Sequence, residues 1–565
     1  MVTPNSNITL LKTPMELDEN NTLTFASETA KYNYFNSLTK LSLTGATYQR
    51  ENGIVRYPTN PNGNTYEDLI QYNYCMYQNT SYDSKWFYAF IEDIKYVNDG
   101  MCEIKLKTDS FMTWQNEIVY KTSFIERQHV SDDTIGKHTI PENVETGEFI
   151  VVSQENASIG DAHVVIATAW NPIAHGSAAA GWSGGSAGSF INGIYQGCDF
   201  FLVGPDDPVG TISYFMGMMS TQSKAESVLG LFMVPDELTG YTNYSQNDYT
   251  YLFAPSGSVT QQYPVKKLTA TEVGSSAKQL LDKTITKQYT SIDGYTPKNN
   301  KLFTSQFNHL VVSNNCGATA IYNYEDFSTN DCVFRIKGAI SPGVSIRSYP
   351  RNYKGIANNM EEGLTGGKYP ICSYTTDMYT NWLTQNSVNF NVGNYDFNLK
   401  PGDLGIANGL IGIVGGLGLM ATGSGSFAGA GSIISGGMQI ANSVAEQQRH
   451  SKIPPQFSGN INAGDVTYAM GWIDFTFRKQ TIKKEYAKII DDYFSFYGYK
   501  VNSVEVINPH KRTYYDYIKT IGCNITGNIP QSELLEIKSL FDRGITLWHN
   551  TSHFLDYSVN NSIIS

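Results

Sequence analysis

The sequence predicts a mainly β protein with a few helices, and three observations carry that prediction. Among 565 residues there are 38 Tyr, and charged residues make up only 16%, so Tyr, Asn and Thr take the place of charge. Tyr and Thr favour strands. Short apolar runs alternate with polar residues and end in Gly, Asn and Asp, which is the strand-and-turn signature. Last, residues 404–445 carry no charged side chain between Asp403 and Glu446 and are dense in glycine. That segment matches neither an ordinary strand nor an ordinary helix.

A chain of this length should form several domains. Tyr suits wet protein contacts, so the composition points to assembly with copies of itself or with partners. Net charge is −12, with a pI near 5.3. That argues against a nucleic-acid grip, which needs a basic surface. It is compatible with a conduit, because an acidic wall repels phosphate and lets DNA pass. Seven cysteines (Cys75, Cys102, Cys198, Cys316, Cys332, Cys372, Cys523) are scattered without CxxC spacing, so neither a zinc site nor a disulfide framework is expected. Met1-Val2-Thr3-Pro4-Asn5 has no basic or apolar leader pattern, and the expectation is cytoplasmic synthesis with any membrane contact coming later.

Along the chain, Trp86 to Asp109 reads as a hairpin. Trp86–Ile91 is aromatic, Asn98-Asp99-Gly100 is turn chemistry, and Met101, Ile104 and Leu106 continue an apolar face. Ile118–Val130 reads as a further strand. Strands are expected at 163–170, 198–204, 309–313 and 332–340, with a helix around Ser223–Leu231. Ile453-Pro454-Pro455 is a stop. Thr467–Ile482 alternates like a strand. Lys483–Tyr497 has helical spacing at Tyr486, Ile489, Ile490, Tyr493 and Phe496, and Gly498 ends it. Glu533–Asp542 is a second helix, stopped by Gly544. No repeat of the solenoid kind is present.

The chemistry of an active site is not assembled. Gly181-Trp182-Ser183-Gly184-Gly185 fits GxSxG, but the nucleophile elbow needs a strand-to-helix turn. Here the strand ends near Trp170 and a Gly/Ser/Ala loop follows. The loop has no GK[ST] and is not a P-loop. His549 and His553 have the i,i+4 spacing of a metal pair, yet Gly544 has ended the helix and no third ligand is evident. They read as surface or packing histidines. Asp132-Asp133 and Asp491-Asp492 read as solvated pairs. No catalytic, cofactor or metal residues are expected.

Thr422–Ser426 divides the apolar segment into two arms, 404–421 and 427–445. Each is near the ~20 residues that span hydrocarbon as a helix. In the first arm Gly405, Gly409, Gly412 and Gly416 form a small-residue face suited to close packing. Beside it stand Leu404, Ile406, Leu410, Ile411, Ile413, Val414, Leu417, Leu419 and Met420. In the second arm Phe427, Ile433, Ile434, Met438, Ile440 and Val444 supply the apolar surface. Ser432, Ser435, Gln439 and Asn442 line up as a polar stripe. Each Gly costs roughly 0.8–1 kcal/mol against Ala in a helix, so in water the segment should stay irregular unless sheltered. In lipid its backbone must become helical or stay in protein-lined space. On composition alone a glycine-rich buried loop or core helix pair fits as well. The position between soluble segments, with charge resuming at Glu446 and Arg449, favours a loop stored in one state and released into a membrane in another.

Several stretches resemble one family. "MYQNTSYDSKWFYAFIEDIKYVNDG", "DSFMTWQNEIVYKTSFIERQHV", "IPPQ" at Ile453–Gln456, "FYGYKVN" at Phe496–Asn502, "FDRGITLWH" and "DYSVNN" are similar to the distal tail knob or tail tube proteins of small short-tailed phages of Gram-positive bacteria, the picovirus type. The resemblance lies in 70–130 and 450–565. It implies a hexameric tube of β-barrel domains at the tail tip, made in the host cytoplasm and carried in the virion. Its partners would be copies of itself, other tail proteins, the host membrane, and viral DNA passing through the lumen without specific binding. Long hydrophobic loops would plug the lumen and exit on infection to form a channel. The implied layout is 1–130 as an N-terminal tube domain, 131–350 as a central β-rich insertion, 351–401 as a returning segment, 402–448 as the plug and membrane-active loop, and 449–565 completing the tube. A pore-forming toxin is one rival, disfavoured by the helical stripes. A tail-associated cell-wall hydrolase is the other.

Overall fold

The computed structural model describes residues 5–375 with short gaps, the strand Ser458–Ile461 and residues 474–564. The chain divides into two compact units. One comprises Met1–Ile150, Tyr289–Asn308 and Ile482–Ser565; the other comprises Val151–Gln288 and His309–Thr481.

The first unit holds a seven-stranded antiparallel sheet in the order Lys40–Ala46, Ser6–Leu11, Tyr74–Asn79, Trp86–Asn98, Met101–Thr108, Ile54–Pro58, Tyr48–Gln49. The expected hairpin is its centre. Asn98 faces Met101 across the turn, and the Gly100 amide donates to Asn98 Oδ1 at 3.0 Å. Period 2 buries Cys102, Ile104 and Leu106 against Ile8, Leu10, Val55 and Tyr57. Met101 falls out of that phase and is only half-buried.

A second sheet in the same unit joins the two ends of the sequence. Its order is Asn21–Leu23, Ile545–Trp548, Tyr515–Ile521, Thr122–Gln128, Tyr499–Val506. The expected strand 118–130 is present as Val119–Tyr120 and Thr122–Gln128. The two helices predicted in this unit, at Lys483–Tyr497 and Glu533–Asp542, form. Lys484–Tyr497 buries Ala487, Ile490 and Phe494; Ile489, expected on the apolar stripe, is 68% exposed. Gln531–Arg543 buries Leu534, Ile537, Leu540 and Phe541. Gly498 ends the first with a φ of +62°, where a Cβ would collide with the Gln128 carbonyl. Strain and collision together exclude any other residue there.

Asp109 caps the short helix Ser110–Trp114 from a nearly sealed position, accepting from the Met112 amide at 2.8 Å and from Tyr74 Oη at 2.8 Å. Burial, then the nearby Glu19 and Glu536 carboxylates, push its carboxyl up to about 7. An unfolded aspartate titrates near 4. The folded value is the higher one, so its contribution to stability is full below about pH 4 and is lost as pH rises through about 7. Asp109→Asn keeps a capping oxygen and removes the titration. It should leave stability at pH 4 nearly unchanged and raise it by about 4 kcal/mol at pH 8, about 1.4 kcal/mol for each of the roughly three pH units between the two values. Urea denaturation at the two pH values checks this; equal effects at both would show that the carboxyl does not titrate as stated.

The second unit is also built of antiparallel sheets. One runs Lys278–Thr286, Asp331–Gly338, Ser345–Tyr353, Ile356–Asn358. Beneath it Tyr322, Phe327, Phe334 and Tyr353 pack ring on ring at 4.7–5.7 Å. Arg335 grips Asp282 with two bonds of 2.8 and 2.7 Å. The expected strands at 163–170, 309–313 and 332–340 are present as Ala162–Thr168, Asn308–Ser313 and Asp331–Gly338. Of the helix expected at Ser223–Leu231, residues 223–227 lie outside the described residues and the rest is strand. Val228–Leu231 opens the strand Val228–Pro235, which lies in the middle of a sheet and so carries no alternation for the sequence to show.

Candidate functional site

Both apolar arms, with their small-residue face and polar stripe, lie in 376–457, outside the described residues. The structure describes where that stretch is attached. Ile371–Thr375 pairs antiparallel with Ser458–Ile461, in the register Cys372 with Ile461, Ser373 with Asn460, Tyr374 with Gly459 and Thr375 with Ser458. Directly paired residues in such a ladder have Cα atoms about 4.5–5.5 Å apart. The chain therefore leaves at Thr375 and returns at Ser458 through one two-stranded stem.

The stem is the rim of a seven-stranded sheet in the order Thr250–Phe253, Gln262–Lys267, Asp199–Val203, Ala162–Thr168, Val228–Pro235, Ile371–Thr375, Ser458–Ile461. Its middle is buried on both faces. Every residue of Asp199–Val203 is buried, as is His163–Thr168. Phe200 meets Phe232 edge-on at 5.9 Å, and Phe201 meets Phe215 at 5.4 Å. Asp199, 1% exposed, is neutralised by Lys267 at 2.8 Å. Continuous apolar strands of this kind are rigid anchors. The two strands that flank the apolar stretch thus sit at the edge of a firmly packed support.

The residues that raised enzymatic readings are placed elsewhere. Ser183 begins the strand Ser183–Ser186, paired with Trp170–His175. The expected Gly/Ser/Ala loop is in part a β-ribbon, and no strand-to-helix turn holds the serine. His549 is a packing residue: Nε2 lies 2.9 Å from Asp516 Oδ2, Nδ1 lies 2.8 Å from Thr24 Oγ1, and His510 stacks edge-on at 4.1 Å. His553 lies against Tyr514 in a separate turn. Among the described residues no His, Cys, Asp or Glu cluster could hold a metal. No described helix is long and apolar enough to cross a membrane.

The two acidic pairs need correction. Asp132 and Asp492 are not buried, but Asp491 is sealed and accepts from Tyr295 Oη and from the Lys298 and Asn299 amides at 2.7–3.0 Å. Asp133, half-buried, accepts from Tyr499 Oη at 2.6 Å and from the Asn300 amide at 3.1 Å. Both fasten residues 295–300 to the core, a contact with no local sequence signal. Sequence reasoning also missed Glu142, which is wholly buried. Its Oε1 accepts from Lys301 Nζ at 2.5 Å and the Lys500 amide at 2.8 Å, while Oε2 meets Arg127.

Comparison with known proteins places this architecture. The family described as Bacillus phage phi29 tail knob protein gp9, C-terminal domain, matches residues 267–562. The Caudoviral major tail protein N-terminus matches residues 4–121. Tail knob protein gp9 of Bacillus phage PZA is 27% identical, with 98% of each chain covered. The gp9 proteins of Bacillus phages B103 and phi29 are 25% and 24% identical, covering 97% and 98% of each chain. Among solved structures, the tail knob protein gp12 of bacteriophage C1 matches with a TM-score of 0.61 at 16% identity, over 99% of this chain and 100% of that one. That last likeness is one of fold.

Proposed function

We propose a mechanical function for this chain, which belongs to the gp9 tail knob protein family of phi29-like Bacillus phages. As a member it is a structural component of the virion tail and not an enzyme. In our reading, copies close into a tube, six in number, whose lumen passes DNA. The segment 402–448 plugs that lumen and on infection enters the host membrane, its small-residue face packing arm on arm and its polar stripe facing water.

One observation supports this most. The pairing of Ile371–Thr375 with Ser458–Ile461 brings together, at a sheet edge, the two ends of the stretch that holds the uncharged run. A stretch attached in that way can change its surroundings while the support stays folded. Long uncharged arms near bilayer length then have a destination. Acidic net charge along a conduit would keep DNA from sticking.

Replacing 404–445 with a short Gly/Ser linker tests the reading. The linker variant should unfold at the wild-type temperature, because the stem strands and every described residue lie outside the cut. Wild-type protein should release dye from anionic phospholipid vesicles at neutral or mildly acidic pH, and the linker variant should not. Equal release by both proteins would reduce the segment to a plug or a tether and end the piercing mechanism.

A further inference from the structure

Each of the two sheets in the first unit has one blunt edge and one long open edge. The five-stranded sheet ends on one side in the three-residue strand Asn21–Leu23, and the seven-stranded sheet in the two-residue strand Tyr48–Gln49. Edges that short offer almost no backbone to a partner. Their opposite edges are Tyr499–Val506, where Glu142 and Lys301 already take the Lys500 backbone and leave the stretch from Asn502 to Val506 for a partner, and Lys40–Ala46, seven residues. Neither contains proline.

The edge at Tyr499–Val506 carries an exposed apolar row. Val504 lies opposite Phe124, and Phe124 opposite Ile521, so the three share a face across three strands. Val504 is 69% exposed, Ile521 59%, and Val506, two residues along the same face, 54%. Such a row beside unpaired backbone groups is a pairing site that a monomer does not leave open without use.

We infer that this edge takes the Lys40–Ala46 edge of a second copy, joining the two sheets across the seam between neighbours. An antiparallel register fits both sequences. Leu41 then faces Val506, Leu43 faces Val504, Ser42 faces Glu505 and Thr44 faces Ser503, apolar against apolar and polar against polar. Leu41 and Leu43 already pack on the core of their own sheet, so their row continues into Val504, Phe124 and Ile521. Lys40 comes diagonal to Glu505, whose side chain is 42% exposed. At the far end Gly45 and Asn502, both at positive φ (67° and 43°), come opposite each other and end the ladder together. Because the two edges are different surfaces of one unit, the contact is head-to-tail, and such contacts build a ring when the rotation between neighbours closes and a filament when it does not. The seam rests on the ring reading proposed above.

Full-length protein with Cys316, which is exposed, replaced by Ser is the background for the test. Leu43→Cys with Val504→Cys in the same chain should give a ladder of covalent oligomers on mild oxidation, since opposed residues bring Cβ atoms within disulfide reach. Either cysteine alone should not. Val504→Asp with Ile521→Asp should abolish the ring in sedimentation velocity, while Ile489→Asp, at a helix position 68% exposed, should leave it whole. Thermal unfolding within a few degrees of wild type confirms that the variants are folded. A ring that survives the double Asp change without a cysteine ladder overturns the seam and leaves the ring standing. A wild-type chain that forms no ring removes the reading beneath it.

Discussion

Glu142→Ala should destabilise the first unit by about 3–5 kcal/mol, the cost of stripping the counter-ion from buried charge. The carboxylate is wholly buried, and Lys301, which points at it, is 2% exposed. Arg127 meets its other oxygen and donates to the Gly498 carbonyl at 2.6 Å. Removing the acid leaves two cations facing each other without water, and frees the Lys500 amide that Glu142 also accepts. Burial already pushes the Lys301 ammonium down from its usual range. In the variant it should lose its proton more readily, which recovers part of the cost at high pH. Glu142→Gln restores one acceptor but no charge, and should fall between the two. Asp132→Ala is the control, since that carboxylate pairs with Lys137 in open solvent and such pairs contribute little. Urea denaturation midpoints decide it: if Glu142→Ala and Asp132→Ala shift them equally, the buried cluster is not a keystone.

That cluster also marks where the sequence stops being readable. Strands whose one face meets water announce themselves, and the hairpin of Trp86–Asn98 and Met101–Thr108 can be placed from period and turn chemistry alone. The helix at Lys484–Tyr497 was legible for the same reason, down to its glycine stop. Val228–Pro235 was not, because a strand buried on both faces has no alternation and reads as easily as a helix. Asp491 and Asp133 were read as solvated, since a pair of aspartates looks alike whether it meets water or a folded-back loop. Their partners Tyr295, Asn299 and Asn300 stand far away in the sequence. Pairing of Asn21–Leu23 with Ile545–Trp548 spans almost the whole chain, and no local pattern encodes it. The apolar segment is the reverse case. Its composition is conspicuous to any reader, and what the fold adds is the stem that brings its two ends together.

Leu410→Asp, or Ile413→Asp, should nearly abolish membrane activity while leaving the folded units untouched. A carboxylate at bilayer depth costs roughly 2.5–3.5 kcal/mol on insertion scales. A cost of about 1.4 kcal/mol is already a tenfold change in equilibrium, so one arm alone loses on the order of a hundredfold. If six arms enter together, as proposed for the ring, the penalty multiplies and dye release should fall below detection. Gly409→Leu should also impair release, for a different reason: a bulky side chain on the small-residue face keeps neighbouring arms apart. Ser432→Ala should change little, since it removes one hydroxyl from a stripe that Ser435, Gln439 and Asn442 still supply. The order of effects is the test, because a general loss of folding would not respect it. Thermal midpoints should stay at the wild-type value in all four proteins, since none of the changes touches a described residue of the packed sheets. Leu410→Asp releasing dye as fast as wild type would mean that this arm never enters the bilayer, and the channel would have to be made by some other part of the tail.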